Sequence, residues 1–244
     1  MHWSPLNVLL ELAFAGGLIL GLAAMVYAAR QPDQRLSRLL MPALAAWVGL
    51  YVATVLIVSL TSREVILSRG KPKRFCGFYL DCHLSVAVFN ASTTPTLGGA
   101  GGQKSERGVF YLLTVRVSND ARRATLTLKR PGVWMVDDQG RRFEPVSSPA
   151  AGDGPRGLSQ PLLAGTGYPT VLVFDVPRDI SRPRLLVTEM DGVWPDRLFE
   201  WFLIGDEDSL LHKKTTLAVV DDSHDPVVVA MDPPRLNNEK RIVP

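Results

Sequence analysis

Two long apolar stretches, separated by nine residues, constrain this chain more than any other feature of its sequence. Residues 12–29 carry no formal charge, and the apolar run extends back to Leu6 if Glu11 is tolerated. Residues 39–61 contain no charged side chain at all. An α-helix rises about 1.5 Å per residue, so each stretch is long enough to cross a hydrocarbon core of ~30 Å. The sequence therefore predicts two transmembrane helices.

The connection between the stretches, residues 30–38, is polar and so short that only a helical hairpin can accommodate it. A cleaved signal peptide would need a basic leading segment and a small-residue cleavage site. Residues 1–5 contain no Lys or Arg, and a second apolar stretch follows immediately. We therefore expect residues 1–62 to form a two-pass membrane anchor.

Charges around the hairpin predict its orientation. The connection carries three arginines and the N-terminal tail carries none, which places the connection in the cytoplasm by the positive-inside rule. Five basic residues after the second stretch oppose this assignment: Arg63, Arg69, Lys71, Lys73 and Arg74. Because the rule weakens beside long translocated domains, we expect both termini and the following domain on the periplasmic side of a bacterial inner membrane.

The first helix carries a ridge of small residues and one acidic residue. The ridge residues recur at helical spacing: Ala13, Gly17, Gly21 and Ala24. Such a ridge permits close helix approach, either within the hairpin or with a partner subunit, and the sequence does not choose between these two. Glu11 lies where an ionised carboxylate is costly. We expect its side chain to extend to the interface rather than to a polar partner or a quinone-like ligand.

Four aromatic residues of the hairpin are candidates for interface contacts. Trp3 and Tyr27 lie near the predicted membrane surfaces, where amphipathic rings anchor helices. Trp47 and Tyr51 are one turn apart and deeper in the second helix. We expect these two rings to pack on lipid or within the hairpin, with stacking on a partner or a pigment as the alternative.

After a basic juxtamembrane linker at residues 63–78, the chain changes to short apolar runs bounded by Gly, Pro, Asn and Asp. This pattern is typical of a sandwich or barrel of β-strands. The predicted strands are 84–90, 109–118, 124–128, 133–137, 170–176, 184–188, 199–204, 215–220 and 227–231. We assign residues 79–231 to this domain and residues 232–244, which hold three prolines, to an extended arm.

Turns and loops of the domain follow from Gly and Pro. The sequence Asp-Gln-Gly at 138–140 predicts a tight turn before a short strand that ends at Phe143. Residues 93–108 and 147–169 are rich in Gly or Pro and are predicted to be long loops. Neither lies in the βαβ context that a phosphate-binding glycine run requires. Long loops on a rigid sandwich are frequent sites of partner contact.

Four segments of this domain carry a family resemblance: residues 110–119 (FYLLTVRVSN), 136–143 (VDDQGRRF), 163–165 (LAG) and 171–177 (VLVFDVP). Together they resemble the DUF4352 family of telokin-like, immunoglobulin-fold domains. The resemblance covers roughly residues 80–190, which is under half of the chain. It implies an all-β immunoglobulin-like sandwich outside the cytoplasm, and it implies no catalytic residue.

Cys76 and Cys82 are the only cysteines, and they lie at the start of the domain. In an oxidising compartment we favour a local disulfide, which would contribute about 2–3 kcal/mol in the chain-entropy model. Free thiols are one alternative. A metal site with His83 is another, although zinc sites usually have two to four residues between paired cysteines and a second ligand pair elsewhere.

Other chemistry is weakly indicated. The densest acidic cluster is Asp206-Glu-Asp208 with Ser209 and His212, but its spacing fits no EF-hand loop, and we favour a solvated turn over a calcium site. Nucleophile-elbow and metalloprotease motifs are absent, so we expect neither an enzyme nor a bound cofactor. Basic residues are dispersed as pairs at a net charge of +3, so nucleic-acid binding is not expected.

The sequence thus predicts a membrane α-hairpin of two transmembrane helices followed by an all-β immunoglobulin-like sandwich. We expect a non-catalytic structural or assembly subunit of a larger bacterial membrane complex, photosynthetic or respiratory. Its helices would pack against lipid and other integral subunits, and the sandwich would clamp extrinsic subunits. The alternatives are a stand-alone membrane-tethered module that binds a ligand or protein, and a redox- or metal-sensing domain that uses Cys76, Cys82 and His83.

Overall fold

The computed structural model describes residues 5–30, 35–76, 82–98, 102–146, 157–189 and 201–220. Predictions that lie outside the described residues are those for Trp3, for the strand at 227–231 and for the arm at 232–244.

Two long apolar helices form near the N-terminus, as predicted: α1 spans Pro5–Ala29 and α2 spans Arg35–Thr61. Each contains a 24-residue apolar span that could cross a membrane by its length and composition. The helices are antiparallel, since Gly17 of α1 faces Trp47 of α2 and Gly21, one turn further along α1, faces Leu44. They therefore form a hairpin.

Small and aromatic residues fit together at the centre of this hairpin. The Phe14 ring lies 5.2 Å from that of Trp47 and 5.0 Å from that of Tyr51, between centroids. The Trp47 indole nitrogen donates a hydrogen bond of 3.2 Å to the Phe14 carbonyl. A Cβ added at Gly17 would overlap the Trp47 ring. Gly17 is therefore needed for the close approach of the two helices.

The rest of the small-residue ridge is less involved in this packing. A Cβ at Gly21 would lie 2.9 Å from a Leu44 methyl, so this glycine also faces α2. Ala13 is exposed and Ala24 is half-buried. Of the two roles that the sequence left open, packing within the hairpin occupies Gly17 and Gly21.

Eleven strands lie in the described residues after α2. They are β1 (Ile66–Leu67), β2 (Lys73–Phe75), β3 (Leu84–Thr94), β4 (Thr96–Leu97), β5 (Gln103–Lys104), β6 (Gly108–Asn119), β7 (Pro131–Val136), β8 (Arg142–Phe143), β9 (Gly167–Pro177), β10 (Arg184–Glu189) and β11 (Thr216–Ala218). One sheet has the order β1-β11-β10-β7-β8 and a second has the order β2-β3-β6-β9, while β4 and β5 pair separately. All pairs are antiparallel except β1 with β11.

The two main sheets enclose one hydrophobic core, so the domain is β-sandwich-like. Alternating residues of each strand point inward, as the period of two along a strand requires. Leu113 and Phe174 from the four-stranded sheet meet Met135 and Leu185 from the five-stranded sheet, and all four side chains are fully buried.

The predicted tight turn between β7 and β8 is confirmed, and a buried carboxylate organises it. Asp137 Oδ1 accepts hydrogen bonds from the backbone nitrogens of Gln139 (3.0 Å) and Arg141 (2.8 Å), and Oδ2 accepts one from Arg141 Nε (2.6 Å). Gly140 adopts φ +78°, a conformation that favours glycine.

Most strand predictions within the described residues are confirmed, and four regions differ, one of them residues 199–204. Residues 124–128 form no strand; Leu126 makes only an isolated bridge with Leu162. The predicted loop at 93–108 contains the end of β3 together with β4 and β5. β1 and β2 lie within residues 63–78, where the sequence predicted a linker, because strands of two or three residues are too short to show a period.

The contact between Gly17 and Trp47 yields a test of the hairpin. In Gly17→Val, the Trp47 ring must leave its position, and overpacking of this kind costs about 1–3 kcal/mol. We expect a lower unfolding midpoint of the helical circular-dichroism signal in mild detergent. Gly16→Val is the matched control, because a Cβ at Gly16 meets nothing within 4 Å. Equal losses in both variants would show that this packing does not hold the hairpin together.

Candidate functional site

After the strands of the sandwich, the chain comes back against the hairpin. We call residues 201–215, which lie there and lead into β11, the return segment. The sequence predicts a strand at 199–204, and this is wrong for the described part, since residues 201–204 join no sheet. The backbone of Phe202 and Ile204 contacts the hairpin and not a strand. An apolar run of this length looks the same in both situations.

Glu11 of α1 binds the return segment. Its Oε1 atom accepts a hydrogen bond from the backbone nitrogen of Ile204. The Tyr51 hydroxyl of α2 lies 3.2 Å from Glu11 Oε2 and also within hydrogen-bonding distance of the Phe202 carbonyl. We expected Glu11 to extend to the interface; its carboxylate instead holds backbone 193 residues away in the chain.

Two serines of α2 continue this contact toward the end of the hairpin. Ser59 is 1% exposed, and its hydroxyl lies 3.2 Å from that of Ser209. Ser62, just past α2, accepts a hydrogen bond of 2.9 Å from the backbone nitrogen of Lys213. From Phe202 to Lys213, the return segment therefore follows α2 from Tyr51 to Ser62.

A buried lysine fastens the return segment to both sheets of the sandwich. Lys73 of β2 is 3% exposed. Its ammonium donates to the Val187 carbonyl of β10 (2.7 Å), to Glu207 Oε1 (2.5 Å) and to the Thr215 carbonyl (3.0 Å). All three N–H donors of the ammonium are therefore satisfied. Glu207 Oε1 also accepts from the Thr215 backbone nitrogen at 3.0 Å.

Burial sets the electrostatics of this ion pair. Loss of water around the ammonium lowers the pKa of Lys73, and the negative charge of Glu207 opposes that effect. Desolvated charges of this kind are costly unless paired and hydrogen-bonded. Removing either partner would leave the other as an uncompensated buried charge.

The exit from the hairpin and the end of the return segment run side by side into the sandwich. β1 pairs with β11 in parallel, and Thr216 N donates to the Val65 carbonyl at 2.9 Å. Glu64 Oε1 accepts from Arg184 (2.6 Å) and from the Thr216 hydroxyl (3.0 Å). These contacts fix the chain that leaves α2 and the end of the return segment to the sandwich.

The acidic cluster that the sequence singled out belongs to this junction. Glu207 pairs with Lys73, and Asp208 pairs with Lys214 at 2.5 Å. His212 contacts the neighbouring Lys213 carbonyl through Nδ1 at 2.9 Å. Within the described ranges, no group of three or more His, Cys, Asp or Glu side chains is arranged to hold a metal ion.

Asp206 is buried beside these pairs, and no cationic side chain in the described part of the chain forms an ion pair with it. Burial raises its pKa from near 3.8 to about 6, and the negative charges of Asp208 and Glu207 add to the shift. A hydrogen bond from Asp208 N (2.7 Å) and the charge of Lys214 act in the opposite direction. The carboxyl group of Asp206 therefore titrates in a mildly acidic range.

Cys76 and Cys82 form a disulfide at the entry to β3. His83 does not join them: its Nδ1 lies 2.6 Å from Asp120 Oδ1, and Arg74 pairs with the other oxygen of Asp120 at 2.9 Å. The hydrogen bond from His83 and the charge of Arg74 lower the pKa of Asp120. With both sulfurs in the disulfide, neither is available as a thiolate ligand for a metal ion.

The remaining candidate residue, Tyr27, lies near the end of α1 and is 61% exposed. Sequence reasoning missed Lys73, Ser59 and Ser209 as parts of the junction. Lys73 was counted only as one of several basic residues of a linker, and no local pattern marks a lysine that will be buried. The one sequence signal for the junction is the pair of serines, Ser59 and Ser62, at the end of the apolar helix α2.

Comparisons with known proteins find partial structural similarity. A conserved hypothetical protein from Bacillus anthracis is 20% identical, with a TM-score of 0.36, over 48% of this chain and 92% of that protein. The secreted protein MPT63 from Mycobacterium tuberculosis is 12% identical, with a TM-score of 0.38, over 54% and 95%. The yjhA protein from Bacillus subtilis is 13% identical, with a TM-score of 0.41, over 63% and 99%. No protein-family model and no curated protein matches the chain.

The buried pair predicts a large and specific loss of stability. In Glu207→Ala, the Lys73 ammonium loses its counter-charge while it stays buried, and we expect the free energy of unfolding to fall by about 3–5 kcal/mol. Asp208→Ala is the control, because it removes a partly exposed ion pair worth less than ~1 kcal/mol. Chemical unfolding of the full chain in mild detergent measures both. Similar small losses would show that Lys73 does not depend on Glu207.

Asp206 predicts a pH dependence. Because its pKa is raised in the folded state, its contribution to stability is fully present below about pH 4 and is lost as the pH rises through about 6. Asp206→Asn keeps an acceptor for Asp208 N but does not ionise. We expect the variant to be more stable than the wild type above about pH 7, by up to ~3 kcal/mol. A variant that is less stable there would contradict the assignment.

Proposed function

We propose that this protein is a non-catalytic accessory subunit of a larger bacterial membrane complex. In this role α1 and α2 span the bilayer, and the sandwich is held outside it at a fixed orientation to meet extrinsic subunits. The observation that carries the proposal is the junction: Glu11, Ser59 and Lys73 bind the return segment, so the sandwich is fixed to the hairpin rather than tethered by a loose linker.

A fixed orientation favours the subunit role over a free binding module. A module that only captures a ligand near a membrane works on a flexible linker, whose composition would be polar and rich in Gly or Ser. Here the chain connection from α2 and the end of the return segment are paired with each other through β1 and β11. A sandwich held in this way presents its loops at one height and angle above the hairpin.

The surface of the hairpin supports a membrane location. Large apolar side chains are exposed on both helices, including Leu9 (63%), Leu20 (72%), Leu39 (71%) and Leu60 (66%). A contiguous apolar surface of this kind is covered by lipid or by other subunits. We place the sandwich in the periplasm, which the arginines of the connection and the disulfide Cys76–Cys82 both favour.

We also propose that the sandwich is immunoglobulin-like, of the DUF4352 type. Two antiparallel sheets with orders β2-β3-β6-β9 and β11-β10-β7-β8 support this assignment, as do the segments that carry the resemblance. Such domains bind through loops at the ends of the sheets.

The outer face of α2 is the best candidate for contact with another transmembrane helix. Ala46, Gly49 and Ala53 are exposed there at intervals of three and four residues. A Cβ at Gly49 meets nothing within 4 Å, whereas Gly17 and Gly21 are already covered by α2. Small residues at this spacing allow a helix of another subunit to approach closely.

Purification tests the proposal. The wild-type protein, extracted from its native membrane in mild detergent, is expected to bring integral and extrinsic subunits in fixed ratio, identified by mass spectrometry. Gly49→Leu fills the outer face of α2 and should reduce the recovery of the other subunits several-fold, whereas Gly16→Leu on α1 should not. A wild-type protein that elutes as a monodisperse monomer would overturn the subunit role and favour the membrane-tethered binding module.

A further inference from the structure

The return segment has its polarity inverted relative to a loop in water. Three of its apolar side chains are exposed, Phe202 (38%), Leu210 (43%) and Leu211 (59%), whereas Ile204 is buried. Two of its three acidic side chains are buried, Asp206 (8% exposed) and Glu207 (6%), and the third, Asp208, is partly exposed. A loop in water has the opposite arrangement, because ionised side chains gain hydration by facing solvent. The arrangement fits an apolar surrounding medium.

The contacts of the return segment with the hairpin give its depth. Tyr51 lies three residues from the midpoint of α2, and Glu11 lies six residues from the midpoint of α1. At about 1.5 Å per residue these positions are roughly 5 Å and 9 Å from the helix centres, within the ~15 Å half-thickness of a hydrocarbon core. The backbone of Phe202 and Ile204, which these side chains contact, is therefore at hydrocarbon depth in a membrane-spanning hairpin.

Irregular backbone at that depth must have its polar groups satisfied by protein. Glu11 accepts from the Ile204 nitrogen, and Tyr51 contacts the Phe202 carbonyl. The Leu210 nitrogen donates to the Trp201 carbonyl at 3.0 Å, which closes residues 201–210 into a loop. Side chains of the hairpin thus supply hydrogen bonds that water supplies to an ordinary loop.

The other end of the return segment leaves this depth. Ser62, which binds Lys213, lies fourteen residues from the midpoint of α2, about 21 Å along the axis and beyond the hydrocarbon core. Lys214 and Asp208 form their partly exposed ion pair in this region. The segment therefore changes from polar to apolar surface in the direction in which the hairpin enters its apolar span.

We propose that the apolar parts of this loop, residues 201–204 and 210–211, insert into the bilayer leaflet on the sandwich side as a re-entrant loop, with Phe202, Leu210 and Leu211 against lipid acyl chains. Glu207 stays outside the hydrocarbon core, paired with Lys73 of the sandwich. Lipid is the occupant because this surface adjoins the apolar span of α2 through Tyr51 and Ser59, and Ile57 between them is exposed about 14 Å from the helix centre, within the hydrocarbon core. The inference rests on the membrane-spanning hairpin of the proposed function and adds a third membrane-inserted element to it.

Depth-sensitive fluorescence quenching tests the insertion. Single cysteines at Leu211, Leu20 and Gln139 are labelled with an environment-sensitive fluorophore in the full chain, without reductant, so that the native disulfide stays intact. Leu20 reports on α1, and Gln139 reports on the exposed turn between β7 and β8. The labelled proteins are reconstituted into phosphatidylcholine vesicles with and without bromine on the acyl chains.

We expect brominated lipid to quench the labels at 211 and 20 and to leave the label at 139 unchanged. Quenching at 20 without quenching at 211 overturns the re-entrant loop and leaves the anchor intact; a partner protein is then the better occupant. A label at 20 that is not quenched overturns the membrane anchor and the loop together. Quenching at all three positions also overturns the proposal, since the sandwich itself would then lie in lipid.

Exchange of the Ile204 amide provides an independent measurement. In Glu11→Leu the amide loses its acceptor, and its hydrogen exchange in the vesicles is expected to rise at least tenfold, together with loss of quenching at 211. Glu11→Gln is the matched control, because the amide oxygen of glutamine still accepts a hydrogen bond. Unchanged protection in Glu11→Leu would show that Glu11 does not hold the loop, and would overturn the proposed role of this carboxylate.

Discussion

One buried ammonium connects the parts of this molecule that lie far apart in sequence. Lys73 leaves β2 in the four-stranded sheet and reaches a carbonyl of β10 in the five-stranded sheet, a carboxylate of the return segment and the carbonyl that precedes β11. One bond goes to β10 and two go to the return segment, so this nitrogen joins both to β2. Because the return segment also binds Glu11 and Ser59, the position of the hairpin relative to the sandwich depends on this nitrogen.

An interaction of this kind is a costly means of stabilisation and an effective means of positioning. Removal of two charges from water offsets much of their mutual attraction, so a well-packed apolar pair can be as stable. An apolar pair, however, tolerates sliding, whereas three N–H donors aimed at three fixed acceptors do not. The burial of Asp206 has a similar cost and raises its pKa. We infer that the junction is built for a defined geometry, which is what a subunit that presents its sandwich to partners requires.

Sequence reasoning succeeds here where the physical signal is local. Composition alone identifies α1 and α2, and alternation identifies long strands such as β6 and β9. It fails where a segment is shaped by distant contacts. Glu11 and Ile204 are 193 residues apart, and no sequence pattern near either residue predicts their contact. The apolar run at 201–204 resembles a strand because a segment beside an apolar hairpin and a strand in a sheet are both rich in apolar residues.

The lipid surroundings that we propose for the return segment would explain why its sequence is misleading. In water, a run such as Asp206-Glu-Asp208 followed by Ser209, Leu210 and Leu211 indicates an exposed acidic turn beside a buried apolar pair. Beside an apolar span the energetic order reverses, since an ionised group gains most from a protein partner and a leucine gains most from lipid. Glu207 is therefore paired with Lys73 inside, and Leu211 is left outside. On this argument the hairpin does more than anchor the sandwich: Glu11, Tyr51 and Ser59 replace water for the segment that joins them.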